Sequence, residues 1–211
     1  MSTAVTAGDV KRLRDETGAG MMDCKRALGE ASGNFEAAKD LLRTWGLAGV
    51  AKRASRAASE GGVGSYLHQL DRELPAKVGV LVEINCETDF VAKTQEFKSL
   101  LRDIALHIAA MEPRWISRGE VPEDYLERER NIVLASPQTA NKPPQIVDKI
   151  VDGKLKSVLA DKGGVLLEQP FVRDATGKRT IGDLVHDIAA SVKENIVIRR
   201  FARFRVGEEA E

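Results

Sequence analysis

Along the first quarter of the chain, apolar residues recur every three or four positions, the spacing that gathers them on one side of a helix. Val10 and Leu13 mark a first short helix, opened by a capping box in which Asp9 stands where Glu is usual, three residues after Thr6. Thr17-Gly18-Ala19-Gly20 breaks it. A second helix from Met21 or Met22 to about Ala31 carries Cys24, Ala27 and Leu28. Asn34 is placed to cap a third, in which Phe35, Ala38, Leu41, Leu42 and Trp45 share a side and which Gly46 is expected to end. A basic stretch, Lys52 to Arg56, and Glu60-Gly61-Gly62 follow. The expected domains are therefore 1–56, a three-helix unit, and 57–211, an α+β core.

The period then drops to two. Val78, Val80, Val82, Ile84 and Cys86 alternate with Gly79, Leu81, Glu83 and Asn85, which marks a strand with one buried face. Val63 to Leu70 is its expected hairpin partner, joined through Asp71 to Lys77. Phe97, Leu100, Leu101, Ile104, Ile108 and Met111 make an amphipathic helix that ends before Pro113. Pro122 suits the first position of a charged helix. The turn Ser136 to Pro144 leads into another with Ile146, Ile150, Leu155, Val158 and Leu159. Residues 121–162 thus read as a projecting helical hairpin with a thin apolar seam. Val165 to Phe171 reads as extended, Ile181 to Val192 as a helix. In a closing strand, Ile196, Ile198, Ala202, Phe204 and Val206 are expected on one face and Arg199, Arg203 and Arg205 on the other. Hairpin-like pairs point to a small antiparallel sheet with packed helices, hence an α+β class.

Composition narrows the function. The 211 residues contain 32 Lys+Arg and 32 Asp+Glu, so bulk charge gives no pull toward nucleic acid or membrane. No apolar run approaches the roughly 20 residues of a membrane span, and Met1 to Gly8 lacks the regions of a secretory signal. Two cysteines, Cys24 and Cys86, are too few for a disulfide framework. These points favour the cytosol, or an organelle interior if a transit peptide has been removed.

The chain has no phosphate-binding loop, no GxGxxG and no metal motif, so no cofactor or metal is expected. A cysteine nucleophile on Cys86 is weighed against a small core residue, and its strand parity favours the core. His107 and His186 sit one position off apolar seams and are expected to be partly buried. Arg199 to Arg205 mixes basic and aromatic residues, as RNA-binding surfaces do, but an amphipathic edge strand explains it better and no direct nucleic-acid binding is expected. Two places are less easily absorbed by the fold. Thr88 and Asp89 suit the start of a helix, which leaves Phe90 either as an inward staple or as an outward anchor. Met21 and Met22 cannot both face one core, since helical neighbours point about 100° apart.

These segments carry a resemblance. Leu13-Arg14 with Thr17-Gly18-Ala19-Gly20-Met21-Met22-Asp23-Cys24-Lys25-Arg26-Ala27-Leu28, and Val82-Glu83-Ile84-Asn85-Cys86-Glu87-Thr88-Asp89-Phe90-Val91-Ala92-Lys93, are similar to the two signatures of the elongation factor Ts family. Gln169-Pro170-Phe171-Val172 and Arg199-Arg200-Phe201 agree with it. The resemblance implies that residues 1–56 form a ubiquitin-associated-like module. It implies a guanine-nucleotide exchange factor, with no catalytic chemistry of its own, acting on elongation factor Tu in its GDP-bound and nucleotide-free forms. Positions matching Arg14, Met21, Met22 and Lys25 contact the partner's G domain. Thr88, Asp89, Phe90 and Val91 match the turn that dislodges the partner's Mg²⁺. His68 matches a core histidine that also meets the partner, and Val172 a contact to the partner's third domain. Arg173 departs from the residue often apolar in longer members, and its contact is not carried over. The chain matches the short form of the family, with one core half and a loop insertion at Asp71 to Lys77. Ala202 stands where short members can carry a cross-linking cysteine, which leaves a non-covalent homodimer through the sheet. The rival readings are a plain interaction module and an RNA-binding protein; GDP release from elongation factor Tu separates the first, salt-dependent RNA affinity the second.

Overall fold

The computed structural model describes residues 5–69, 71, 73–140 and 142–209, with the Leu47 side chain left out. The expected hairpin end at Leu70, and parts of the readings over Met1 to Gly8, Asp71 to Lys77 and Ser136 to Pro144, lie outside the described residues. The chain divides into two compact units. One comprises Met1–Gly61, Asn85–Phe97 and Val185–Val197, the other Gly62–Ile84, Lys98–Leu184 and Ile198–Glu211. The three N-terminal helices thus share a unit with two later segments.

In the first unit, α1 (Ala7–Thr17), α2 (Met21–Glu30) and α3 (Phe35–Arg53) pack on one another. The reciprocal Thr6–Asp9 cap opens α1, and Gly18, at φ 69°, closes it in a left-handed conformation that glycine adopts without a Cβ penalty. The side chain of Asn34 accepts from the Ala37 N–H and opens α3. Val10, Leu13, Cys24, Ala27, Leu28, Ala38 and Leu42 form the core, with Phe35, Leu41 and Trp45 against it. Gly46 does not end α3, which continues to Arg53. A helix-interior glycine costs only about 1 kcal/mol. A Cβ there would lie 3.3 Å from the Ala190 Cβ, so the position serves close approach rather than termination.

The second unit is built on a three-stranded antiparallel sheet in the order β1 (Glu60–His68), β2 (Val78–Cys86), β3 (Val197–Arg205), whose strand ends run into the first unit. Val80, Val82, Ile84 and Cys86 are buried, as their alternation predicts. The Val206 N–H donates to the Lys77 carbonyl and Arg200 pairs with Glu83, which fixes the β2–β3 register. On β3 the expected parity fails. Ile198 is buried, Arg199 and Arg200 are both exposed, and thereafter Phe201 and Arg203 are the half-buried positions. Phe204 and Val206 are 70% and 74% exposed. One slip of a period-two pattern moves every later side chain to the other face. Arg203 can take an inner position because Glu112 and Glu208 neutralise it, at 2.6 and 2.8 Å.

After α4 (Asp89–Ala92), helix α5 (Gln95–Met111) buries Phe97, Leu100, Leu101, Ile104, Ala105 and Ile108. It also buries His107 completely, where partial burial was expected. Gly64 on β1 faces the Leu101 carbonyl so closely that a Cβ would lie 2.9 Å from it. Helices α6 (Glu123–Leu134) and α7 (Pro144–Ala160) pack as the hairpin. Pro122 is the residue before α6 rather than its first. The seam of α7 is Val151, Leu155 and Leu159, one helical face, while Ile146 is exposed. Val165 to Phe171 is no strand: it contains a single 3-10 turn at Leu166–Glu168, with isolated bridges from Val165 to Trp115 and from Pro170 to Thr180. Helix α8 (Ile181–Val192) matches the expected span, and its His186 is exposed rather than partly buried.

Candidate functional site

The turn between β2 and α4 is the best-defined site. Thr88 caps α4, its hydroxyl oxygen accepting from the Val91 N–H. Val91 faces inward and is buried. Phe90 faces outward and is 79% exposed. Of the two orientations open to a first-turn phenylalanine, the outward one is realised. Helical neighbours point about 100° apart, so the turn can bury Val91 and still present Phe90 to solvent. Asp89 pairs with Lys93 one turn later at 2.5 Å, which holds the lysine ammonium above its usual range.

The turn is held from beneath by side chains that sequence reading did not single out. The peptide N–H groups of Glu87 and Thr88 both donate to Oε2 of Glu194 at 3.0 Å. The Thr88 hydroxyl donates to its Oε1 at 2.6 Å. Beside it, the Asn195 N–H donates to Oε1 of Glu87 at 2.7 Å, and the Asn195 amide donates to the carbonyls of Ala54 and Arg56 just beyond α3. Lys193, at φ 59°, reaches Asp23 of α2 at 3.2 Å. No motif marks Glu194 or Asn195, because their partners lie more than 100 residues away in the chain.

Below this turn, the Cys86 thiol donates to the Thr88 carbonyl at 3.1 Å. Burial raises its pKa, the opposite of what a nucleophile needs. Among the described residues no group of three His, Cys, Asp or Glu side chains could hold a metal ion, and no helix is long and apolar enough to cross a membrane.

The N-terminal candidates belong to the same unit. Met21 and Met22, the first residues of α2, are 45% and 72% exposed, so neither joins the core. Arg14 and Lys25 are exposed as well. Eight of the ten candidate residues, Arg14, Met21, Met22, Lys25, Thr88, Asp89, Phe90 and Val91, therefore fall in one compact unit.

His68 and Val172 belong to the other unit. His68 is exposed on β1, with the Tyr66 hydroxyl 3.1 Å from its Nδ1. Val172, 39% exposed, is presented by a buried polar pair. Its N–H donates to Nδ1 of His107, so Nε2–H of that ring donates to the Gln169 side-chain oxygen at 3.1 Å. The Gln169 amide is spent on the carbonyls of Met111 and Asp161. Burial lowers the His107 pKa to about 4, against the opposing bond from Gln169, so the ring is neutral at pH 7.

Three of the four C-terminal arginines, Arg200, Arg203 and Arg205, are occupied. Arg200 pairs with Glu83, and Arg203 and Arg205 with Glu112. That arrangement suits a neutralised strand rather than a phosphate-binding stripe.

Comparison with known proteins converges on the family whose signatures these are. The Elongation factor TS family model matches residues 35–208. Elongation factor Ts of Thermoanaerobacter sp. (strain X514) is 49% identical over 98% of this chain and 97% of its own. That of Anaeromyxobacter sp. (strain Fw109-5) is 49% identical over 98% of this chain and 90% of its own, and that of Fervidobacterium nodosum 48% identical over 97% and 99%. The relatives extend the match through α1 and α2, where the family model does not reach, and so take in the exposed methionines as well as the Phe90 turn. With nearly its whole length matched at about half identity, the chain belongs to the elongation factor Ts family.

Proposed function

We propose that the chain is a guanine-nucleotide exchange factor that binds GDP-bound elongation factor Tu, dislodges its Mg²⁺ and promotes GDP release so that GTP can bind. It works in the cytosol during translation elongation, as a partner with no active site, cofactor or metal of its own. The observation that carries this reading is Phe90, a large apolar side chain 79% exposed on a turn pinned by Glu194. Left in water such a group earns nothing for folding, and an anchor for a partner explains its place.

In this mechanism the ubiquitin-associated-like module of residues 1–56 docks on the G domain of Tu through Arg14, Met21, Met22 and Lys25. Phe90 enters as a wedge. Asp89 exchanges its tie to Lys93 for the surroundings of the partner's Mg²⁺, and Thr88 and Val91 hold the turn in shape. His68 and Val172 supply further contacts. Exchange then follows from linkage: a factor that favours nucleotide-free over GDP-bound Tu weakens GDP by the same factor. Thousandfold weakening needs about 4 kcal/mol of differential binding. An inserted aromatic side chain and the loss of the ion's phosphate contacts supply free energy on that scale.

The test is release of labelled GDP from elongation factor Tu at catalytic amounts of this chain. Multiple-turnover release supports exchange; unchanged release with a folded chain and a cognate Tu returns the reading to a plain interaction module.

We further propose a non-covalent homodimer through the sheet. Val63, Leu67, Leu81, Phe204 and Val206 are all exposed on the face opposite the buried one. Contiguous apolar faces of this kind mark interaction sites, and two such faces stack as sheets do, about 10 Å apart. Phe204→Glu should lower the sedimentation mass to that of a monomer at concentrations where the parent chain is dimeric. A parent chain that is monomeric at high micromolar concentration would exclude the dimer.

A further inference from the structure

We propose that Glu194 is a positioning residue for exchange: it fixes the direction in which Phe90 is presented, and does so without touching the partner. This inference rests on the wedge reading of Phe90.

The argument begins with donors. Three groups of one turn, two peptide N–H groups and the Thr88 hydroxyl, converge on the two oxygens of one carboxylate. An ionised carboxylate only accepts, and has room for all three. Charge-assisted bonds of this kind are about twice as strong as neutral ones. The residues they hold, Glu87 and Thr88, immediately precede the first turn of α4, so they set the direction in which that helix leaves. A four-residue helix has too few internal bonds to set its own direction. Glu194 therefore supplies an orientation that α4 cannot supply for itself. The flanking residues extend the clamp: Asn195 reaches the carbonyls beyond α3, and Lys193 reaches α2 beside Met21 and Met22. The segment 193–195 thus ties the Phe90 turn to the helices proposed to dock, within one compact unit.

A wedge must arrive in register with the docking surface, and a small misplacement costs rate rather than affinity. Glu194→Ala should lower the maximal rate of GDP release at saturating factor about tenfold, while the concentration for half-saturation stays within about twofold. Glu194→Gln should recover most of the rate, since its one oxygen can still take both N–H groups and its NH₂ can donate to the Thr88 hydroxyl oxygen. In a Phe90→Ala background, Glu194→Ala should have little further effect, because a residue that acts through Phe90 has nothing left to position. If Glu194→Ala does not fold, Glu194→Asp carries the same test by withdrawing the carboxylate by one methylene while leaving the Thr88 cap on the Val91 N–H in place.

A folded Glu194→Ala chain with the parent maximal rate, beside a slow Phe90→Ala chain, overturns this inference and leaves the wedge standing. A loss that persists in full in the Phe90→Ala background also overturns it. A Phe90→Ala chain with the parent rate overturns the wedge and this inference with it.

Discussion

Phe90→Ala should leave the fold intact and slow the maximal rate of GDP release from elongation factor Tu at least tenfold. The two halves of that expectation have separate causes. The side chain is 79% exposed, so its loss removes little buried area, and substitutions at such positions change stability by about 0.5 kcal/mol or less. The cap beneath it is unaffected, since the Val91 N–H bonds to Thr88 and not to Phe90. In the proposed complex the same ring is buried, and full burial of a phenylalanine is worth about 1.5–3 kcal/mol. Each 1.4 kcal/mol is a factor of ten, so a loss of ten- to a hundredfold follows if that burial belongs to the nucleotide-free complex. Stopped-flow release of a fluorescent GDP, with thermal melts of both chains, measures the two halves together. Parent-like release by the variant would remove the wedge role.

The second large effect is a loss of stability in acid that His107 produces. The folded ring has its pKa near 4, and the unfolded ring about 6.5. Between those values the unfolded chain binds a proton that the folded chain refuses. Stability contributed by the neutral ring is thus fully present above about pH 6.5, falls by about 1.4 kcal/mol for each unit below it, and levels off near pH 4 after a loss of about 3 kcal/mol. Few groups near the ring oppose this. Gln169 and the Val172 N–H are its bonded neighbours, the Phe171 ring lies 6.2 Å away, and Asp103, one turn earlier on α5, is paired with Arg173 at 2.8 Å. Denaturant melts from pH 7.5 to 4, compared with those of His107→Gln, isolate the contribution. The parent should lose stability more steeply between pH 6.5 and 5, where few carboxylates titrate. Parallel curves would mean that the folded ring is not held neutral. Functionally, protonation removes the lone pair that accepts from Val172, so the segment proposed to meet the partner's third domain should loosen over the same range.

Much of this molecule was legible in the chain. The helices of the first unit follow from local rules that act within four residues: the Thr6–Asp9 box, Gly18, the Asn34 cap and the periodic apolar positions around Leu13, Leu28 and Leu42. The alternation from Val78 to Cys86 carried β2 and its buried face, and the α+β class with a small antiparallel sheet came with it. The two signatures carried the family, and nearly whole-chain relatives agree. Parity placed Cys86 inside, and adjacency on a helix required an exposed methionine at position 21 or 22.

Tertiary structure decided what depends on distant partners. Gly46 reads as a helix end until Ala190 approaches it. Arg203 reads as an outward residue until Glu112 and Glu208 meet it, and with that slip Phe204 and Val206 turn to the exposed face. His107 reads as a partly buried residue until Gln169 and Val172 complete its bonds and allow full burial. Spacing alone left Phe90 balanced between inside and outside; the structure turns it outward, above a carboxylate whose bonded turn lies 106 residues earlier in the chain. The physical reason is common to all four. Periodicity and capping are energies of neighbours in sequence, whereas burial of a charge, a ring or a turn is settled only by the groups that chain folding brings to it.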